Sequence, residues 1–258
     1  MRLMKRILSA AAVLALSASL LVGCSSGTAS SVPVSASSAA ESTVSSVEET
    51  ASSAVDENEA AAAQLLNDLT GSYQELWPVI LADEYKQTWL DDCTALVGEE
   101  NAEAAFEKLS SMVTSDVYGE DAVEAYANGG GAYFCGFTNS LATLTFDGET
   151  STISGTDKDG NVLFSHTYHY IGMEPVRGLY EFESDDADSG EFTYFFLAPD
   201  TSAETYHIEF RYGSDAEALS QYDTGEYAYW LASGISTDCD QTMINNCIEL
   251  FCTENLAG

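Results

Sequence analysis

Two periodicities divide the chain. From residue 59 to about 126 apolar side chains recur at helical spacing, and from residue 133 onward they alternate with polar ones, as in strands. Helices are predicted at Glu59–Asn67, Asp83–Leu96, Ala102–Met112 and Asp121–Tyr126, with Tyr85, Trp89, Phe106 and Leu109 on inward faces. Between the first two, Asp68–Pro78 reads as an aromatic strand set off by the helix-breaking Gly71, and Gly129-Gly130-Gly131 ends the helical part. Strands are then predicted at Tyr133–Phe137, Leu141–Phe146, Thr150–Gly155, Val162–Tyr170, Gly178–Glu183, Phe192–Leu197 and Tyr206–Tyr212. Turn signals part them: Asp147-Gly148, Asp159-Gly160-Asn161 and the run Asp185–Gly190. Ser214–Tyr222 and Asp240–Cys252 return to helical spacing. Short strands at regular intervals predict an antiparallel meander closing into a β-barrel, so the fold class is mainly β with helices before and after the barrel.

The strand with most chemistry is Tyr206–Tyr212. Alternation puts Tyr206, Ile208, Phe210 and Tyr212 on one face and His207, Glu209 and Arg211 on the other. A histidine and a carboxylate two apart on a strand point the same way and can reach one divalent cation. The same residues also suit a plain polar sheet face, with Glu209 as a cross-strand partner for Arg177 or another basic residue.

The N-terminus changes the picture. Arg2, Lys5 and Arg6 precede an apolar run over Ile7–Val22, too short for a stable membrane span, and Leu21-Val22-Gly23-Cys24 has the form of a bacterial lipobox. Residues 1–23 are thus predicted as a lipoprotein signal peptide, and Cys24 as the lipidated residue of a protein on the outer side of the cytoplasmic membrane. Residues 24–58 are almost wholly Ser, Ala, Thr, Val and Glu without aromatics, the composition of a disordered tether. Residues 59–258 form the folded domain.

Losing the leader leaves five basic side chains (Lys86, Lys108, Lys158, Arg177, Arg211) against 42 acidic ones. Such a chain repels nucleic acid, so membrane attachment is expected through the lipid anchor alone. Acidity also attracts divalent cations loosely, without a site. Beyond Cys24 there are five cysteines in no thiolate-zinc spacing, and one disulfide is expected, its pairing open.

The order of elements, with several motifs, resembles the ZinT/YodA family of calycin-like, lipocalin-related barrels of bacterial envelopes. Asp68-Leu69-Thr70-Gly71-Ser72-Tyr73-Gln74-Glu75-Leu76-Trp77-Pro78 is similar to the family's opening motif, and Arg177–Phe182 loosely to one of its strands. Ala198-Pro199 with His207–Gly213 is similar to its Ala-Pro and His-x-His segment, Ser214–Leu219 to the helix start after it, and Tyr229–Ser236 to its closure. The resemblance implies a zinc-binding envelope protein supporting metal uptake, with a metal ABC-transporter component as partner.

The family holds zinc with three barrel histidines. At the matching positions this chain has Phe195, His207 and Glu209, so one ligand is replaced by a ring. Its other histidines, His166 and His169, lie three apart on one strand and face opposite sides, so at most one could join His207 inside the barrel. The expectation is a zinc site of His207, Glu209 and either His166 or His169. The alternative is a calycin-like module for a small organic ligand in the barrel pocket, its metal site partly lost. No nucleophile elbow, phosphate loop or His-Glu-x-x-His helix supports an enzyme.

Overall fold

In the computed structural model, which describes residues 57–113, 115–127, 129–198 and 207–257, the alternating stretches close into a barrel. The leader, Cys24, nearly all of the tether, and Pro199 to Tyr206 lie outside the described residues. A helix over 57–68 (α1) leads into β1 (Gly71–Glu75), followed by α2 (Leu76–Ile80), α3 (Lys86–Val97), α4 (Ala102–Met112) and α5 (Glu120–Ala125). The meander is β2 (Thr143–Asp147), β3 (Thr152–Thr156), β4 (Val162–Met173), β5 (Tyr180–Ser184), β6 (Tyr194–Leu197) and β7 (His207–Gly213). After α6 (Ala216–Leu219) comes β8 (Ala232–Ser236), and α7 (Gln241–Leu256) ends the described chain. Every neighbouring pair is antiparallel, and β8 pairs with β1 to close an eight-stranded antiparallel barrel flanked by helices. Among the described residues no helix is long and apolar enough to cross a membrane.

Several elements differ from the sequence expectation: of the aromatic strand Asp68–Pro78 only Gly71–Glu75 is extended, and Leu76 begins α2. Tyr133–Phe137 is no barrel strand; only Phe134 bridges, in parallel, to Trp230. The predicted helix Ser214–Tyr222 shrinks to the four residues of α6, capped by Asp215, whose carboxylate accepts from the Glu217 and Ala218 amides. The closing strand β8, Ala-Ser-Gly-Ile-Ser, shows no alternation because both its faces are covered: Ala232 packs into the barrel core and Ile235 against the helices.

Inward positions fill the barrel with rings. Phe146, Phe182, Phe195, Phe210 and Tyr212 are each at most 1% exposed. Phe164 stacks on Phe192 at 4.0 Å, and Phe195 lies 5.4 Å from both Tyr168 and Tyr212. Gly155 permits this density, since a Cβ there would collide with Leu141 and Phe164. The inward side of the barrel is thus lined by contacting rings that form a hydrophobic core.

A second core lies outside the barrel, where α2, α3, α4 and α7 cover β8. Trp77 and Trp89 meet Phe251 edge-on at 4.7 and 5.7 Å, and Ile235 joins them from the barrel wall. The Trp89 indole N–H donates to the Ile80 carbonyl at 2.7 Å, satisfying a polar atom that is fully buried.

Candidate binding site on the outer wall of the barrel

Register decides which face of β7 is which. Phe210 pairs with Leu197 and Ala232, Tyr212 with Phe195, and Ile208 with Gly234. Phe195, Phe210 and Tyr212 stack together, so Ile208, Phe210 and Tyr212 face the interior. His207 and Glu209, opposite Ile235 and Ser233, therefore face out, beneath the helical layer. They share a face as expected, but it is the barrel's outer wall and not its interior. Phe195, at the position where the resemblance implies a ligand, points to the opposite side of the sheet.

The other two histidines do not join them. His166 sits on the inward face of β4 near its rim, between the Phe164 and Tyr168 rings, with Nδ1 2.8 Å from Asp186. His169 is on the outward face, half exposed, with Nδ1 2.7 Å from Asp185. Each histidine thus has an aspartate of the β5–β6 connection as partner. Among the described residues no three His, Cys, Asp or Glu side chains converge closely enough to hold a metal ion. The three-ligand zinc centre expected from His207, Glu209 and His166 or His169 is not assembled among the described residues: His166 is on the inward face beside Asp186, and His169, though outward, lies on β4 beside Asp185.

Around His207 and Glu209 the wall and helices enclose space. A narrow cleft of about 40 Å³, room for little more than a water, is lined by His207, Glu209 and, from α7, Glu254. Glu209 also lines a cavity of about 190 Å³ with Trp77, Tyr133, Arg177, Ser233 and Phe251. A third space of about 330 Å³ shares Trp77, Val113 and Cys135 with it. Burial, reinforced by the charge of Glu209, pushes the Cys135 thiol up to about 12, so it stays protonated and is a poor thiolate ligand.

Two arginines stand beside this cavity and differ sharply. Arg211 is fully buried, and its guanidinium donates to the carbonyls of Leu219, Tyr227 and, at 3.2 Å, Gln221. It ties the crossover after β7 to the wall; desolvation draws its pKa down to about 10. Arg177 is only partly buried, stacks 4.3 Å from the Tyr222 ring, and donates to the Tyr133 hydroxyl at 3.1 Å. Arg177 and Glu209, read from the sequence as cross-strand partners, line the same cavity. Neither Arg177 nor the cavity was legible as a site, because its walls come from positions far apart in the sequence.

The chain matches no protein-family profile and no curated protein. Among solved structures it is similar to the Zn(II)-bound ZinT-like domain of Streptococcus pneumoniae AdcA, with 16% identity, a TM-score of 0.44, and coverage of 71% of this chain and 89% of that one. It is also similar to Zn(II)-bound AdcA from the same organism, with 15% identity, a TM-score of 0.41 and coverage of 72% of this chain. The chain spans only 35% of that protein's length. These are likenesses of fold; the closed barrel itself stands on the strand pairing of this chain.

Proposed function

We propose that this is a lipid-anchored envelope protein, attached through Cys24, that binds a divalent cation, zinc foremost, at the outer wall of its barrel and serves metal uptake or homeostasis. The observation that supports it is that His207 and Glu209 share one face of β7 and line one cleft under α7. An imidazole nitrogen and a carboxylate oxygen are both zinc donors, and with water in the remaining positions they make an open site. Two protein ligands hold zinc more weakly than three, which suits a module that passes its cargo to a metal ABC-transporter component. We read it as a binder because its sequence carries no nucleophile elbow, phosphate loop or His-Glu-x-x-His helix. The rival reading, an organic ligand inside the barrel, is disfavoured by the buried rings that fill its inward positions.

The test is calorimetric titration of zinc into the protein beside His207→Ala and Glu209→Gln. Saturable one-to-one binding in the parent, lost in both variants, is expected. Multi-site binding that ignores both substitutions would mean that the acidic surface alone attracts the ion, and the proposal would fall.

A further inference from the structure

We infer that the 330 Å³ cavity beside Trp77 binds a small neutral apolar molecule with one acceptor oxygen, of the aryl-ketone type, and that this oxygen takes the Trp77 indole N–H. The volume falls within the ~300–1,000 Å³ usual for small-molecule pockets. Trp77, Leu81, Val113 and Phe134 supply apolar walls, and the exposed Pro78 stands at the rim. His207 and Glu209 are not among its lining residues, so this site stands apart from the proposed metal cleft.

The indole carries the argument. The chain has three tryptophans. Trp89 donates to the Ile80 carbonyl at 2.7 Å and Trp230 to the Gly136 carbonyl at 2.9 Å. Trp77 is only 9% exposed and its Nε1 is buried, yet among the described residues that atom has no hydrogen-bond partner. An indole N–H can only donate, and buried donors are nearly always satisfied. Its neighbours give it a direction. The ring meets Phe251 of α7 edge-on at 4.7 Å, while Nε1 lies towards the Cys135 thiol, whose sulfur is a weak acceptor. Trp77 and Cys135 both belong to the wall shared by the 330 and 190 Å³ cavities, so the N–H faces the place where the two spaces meet.

Ligand chemistry follows by elimination. Glu75 is the charged residue lining this cavity, and its carboxylate accepts from the Phe137 amide at 2.6 Å. An anion would face that carboxylate in a chain of formal net charge −34. A ligand that only donates, such as an ammonium, would leave the indole N–H unmade. A neutral carbonyl accepts the bond without bringing a charge to desolvate, and a planar ring beside it suits Trp77 and Phe134.

The experiment is a titration of acetophenone into the full-length protein, followed by calorimetry and by the indole N–H resonances of ¹⁵N-labelled protein. Saturable one-to-one binding is expected, with a downfield shift of the Trp77 signal. α-Methylstyrene, which has the same shape with a methylene for the oxygen, should bind roughly two- to tenfold more weakly, and benzoate no better than that. Trp77→Phe identifies the shifted signal by its loss; it should weaken acetophenone by the same factor and leave α-methylstyrene unchanged. Val113→Trp, which fills the wall common to both cavities, should abolish binding of either compound, while His207→Ala should affect neither. The ligand series needs no variant and stands even if Trp77→Phe misfolds. No saturable acetophenone binding, equal affinity for α-methylstyrene, or a shift confined to the signals of Trp89 and Trp230 would each overturn the inference.

Discussion

The two faces of β7 lead opposite lives. Inward, Ile208, Phe210 and Tyr212 join a core of rings; outward, His207 and Glu209 lie under a helical cover that leaves cavities, and Arg211 is held by the crossover after β7. A calycin barrel is expected to bind inside. Here rings fill the inside, and the proposed binding chemistry lies at the seam between wall and helices. A strand pattern identifies two faces, but which one is interior depends on the neighbours: rings on β4, β5 and β6 claim the same side as Phe210 and Tyr212.

The sharpest way to break this contrast is to cut into the stack. Phe195→Ala should cost about 3–5 kcal/mol in urea unfolding, the usual penalty for a fully buried ring. Phe195→His, the substitution that would restore a third ligand if His207 faced inward, should also destabilise and should leave zinc affinity unchanged. A gain in zinc affinity would mean that Phe195 and His207 share a surface, contrary to the pairing of Phe195 with Tyr212.

Much of this fold was legible. The hairpin turns at Asp147-Gly148 and Asp159-Gly160 lie where Gly and Asp predict them, and the alternation of β2 to β7 is what a barrel needs. What escaped were positions with two-sided demands. β8 is buried on both faces and so carries no period, while Tyr133–Phe137 alternates only because it wedges between the two cores. Of the site, the pairing of His207 with Glu209 on one face could be read. Its outward direction, and the membership of Arg177, Tyr133 and Trp77, depend on long-range packing that spacing does not encode.

The helical cover offers the next test. Cys93 of α3 and Cys252 of α7 are fully buried with Sγ atoms 3.9 Å apart. Refolding with oxidised glutathione should exchange its disulfide for a Cys93–Cys252 bond, releasing two reduced glutathiones. This should add about 2–4 kcal/mol, absent in Cys93→Ser and visible by non-reducing peptide mapping. Burial pushes both thiols up, so the folded reduced protein should react slowly and the bond should form during folding. Rapid oxidation of the folded protein would show that the cover opens readily.

Alkali should loosen both layers. Burial raises Tyr222 from 10.0 to about 12 and drives Tyr168 and Tyr212 up as well. A folded-state pKa above the unfolded value means that the native state holds the extra proton. The stability is present in full below pH 10 and declines as pH rises towards about 12. Arg211, drawn down to about 10, acts in the opposite sense over that window, but one arginine faces three tyrosines. Tyrosinate absorbance should therefore rise in two stages, the exposed rings first and the buried ones together with unfolding. A single smooth stage would show that water already reaches the ring stack.

The smallest effect is the one that separates His207 from its fellows. His169 is half exposed, and its partner Asp185 is equally so, which places this pair among surface ion pairs of little worth. His169→Ala should change stability by no more than roughly 0.5 kcal/mol and leave the zinc isotherm of the parent unaltered. His166→Ala should likewise spare zinc binding, since its imidazole lies on the inward face beside Phe164, across the sheet from His207. If either substitution weakened zinc as much as His207→Ala does, the cation would be held near the aspartates that follow β5.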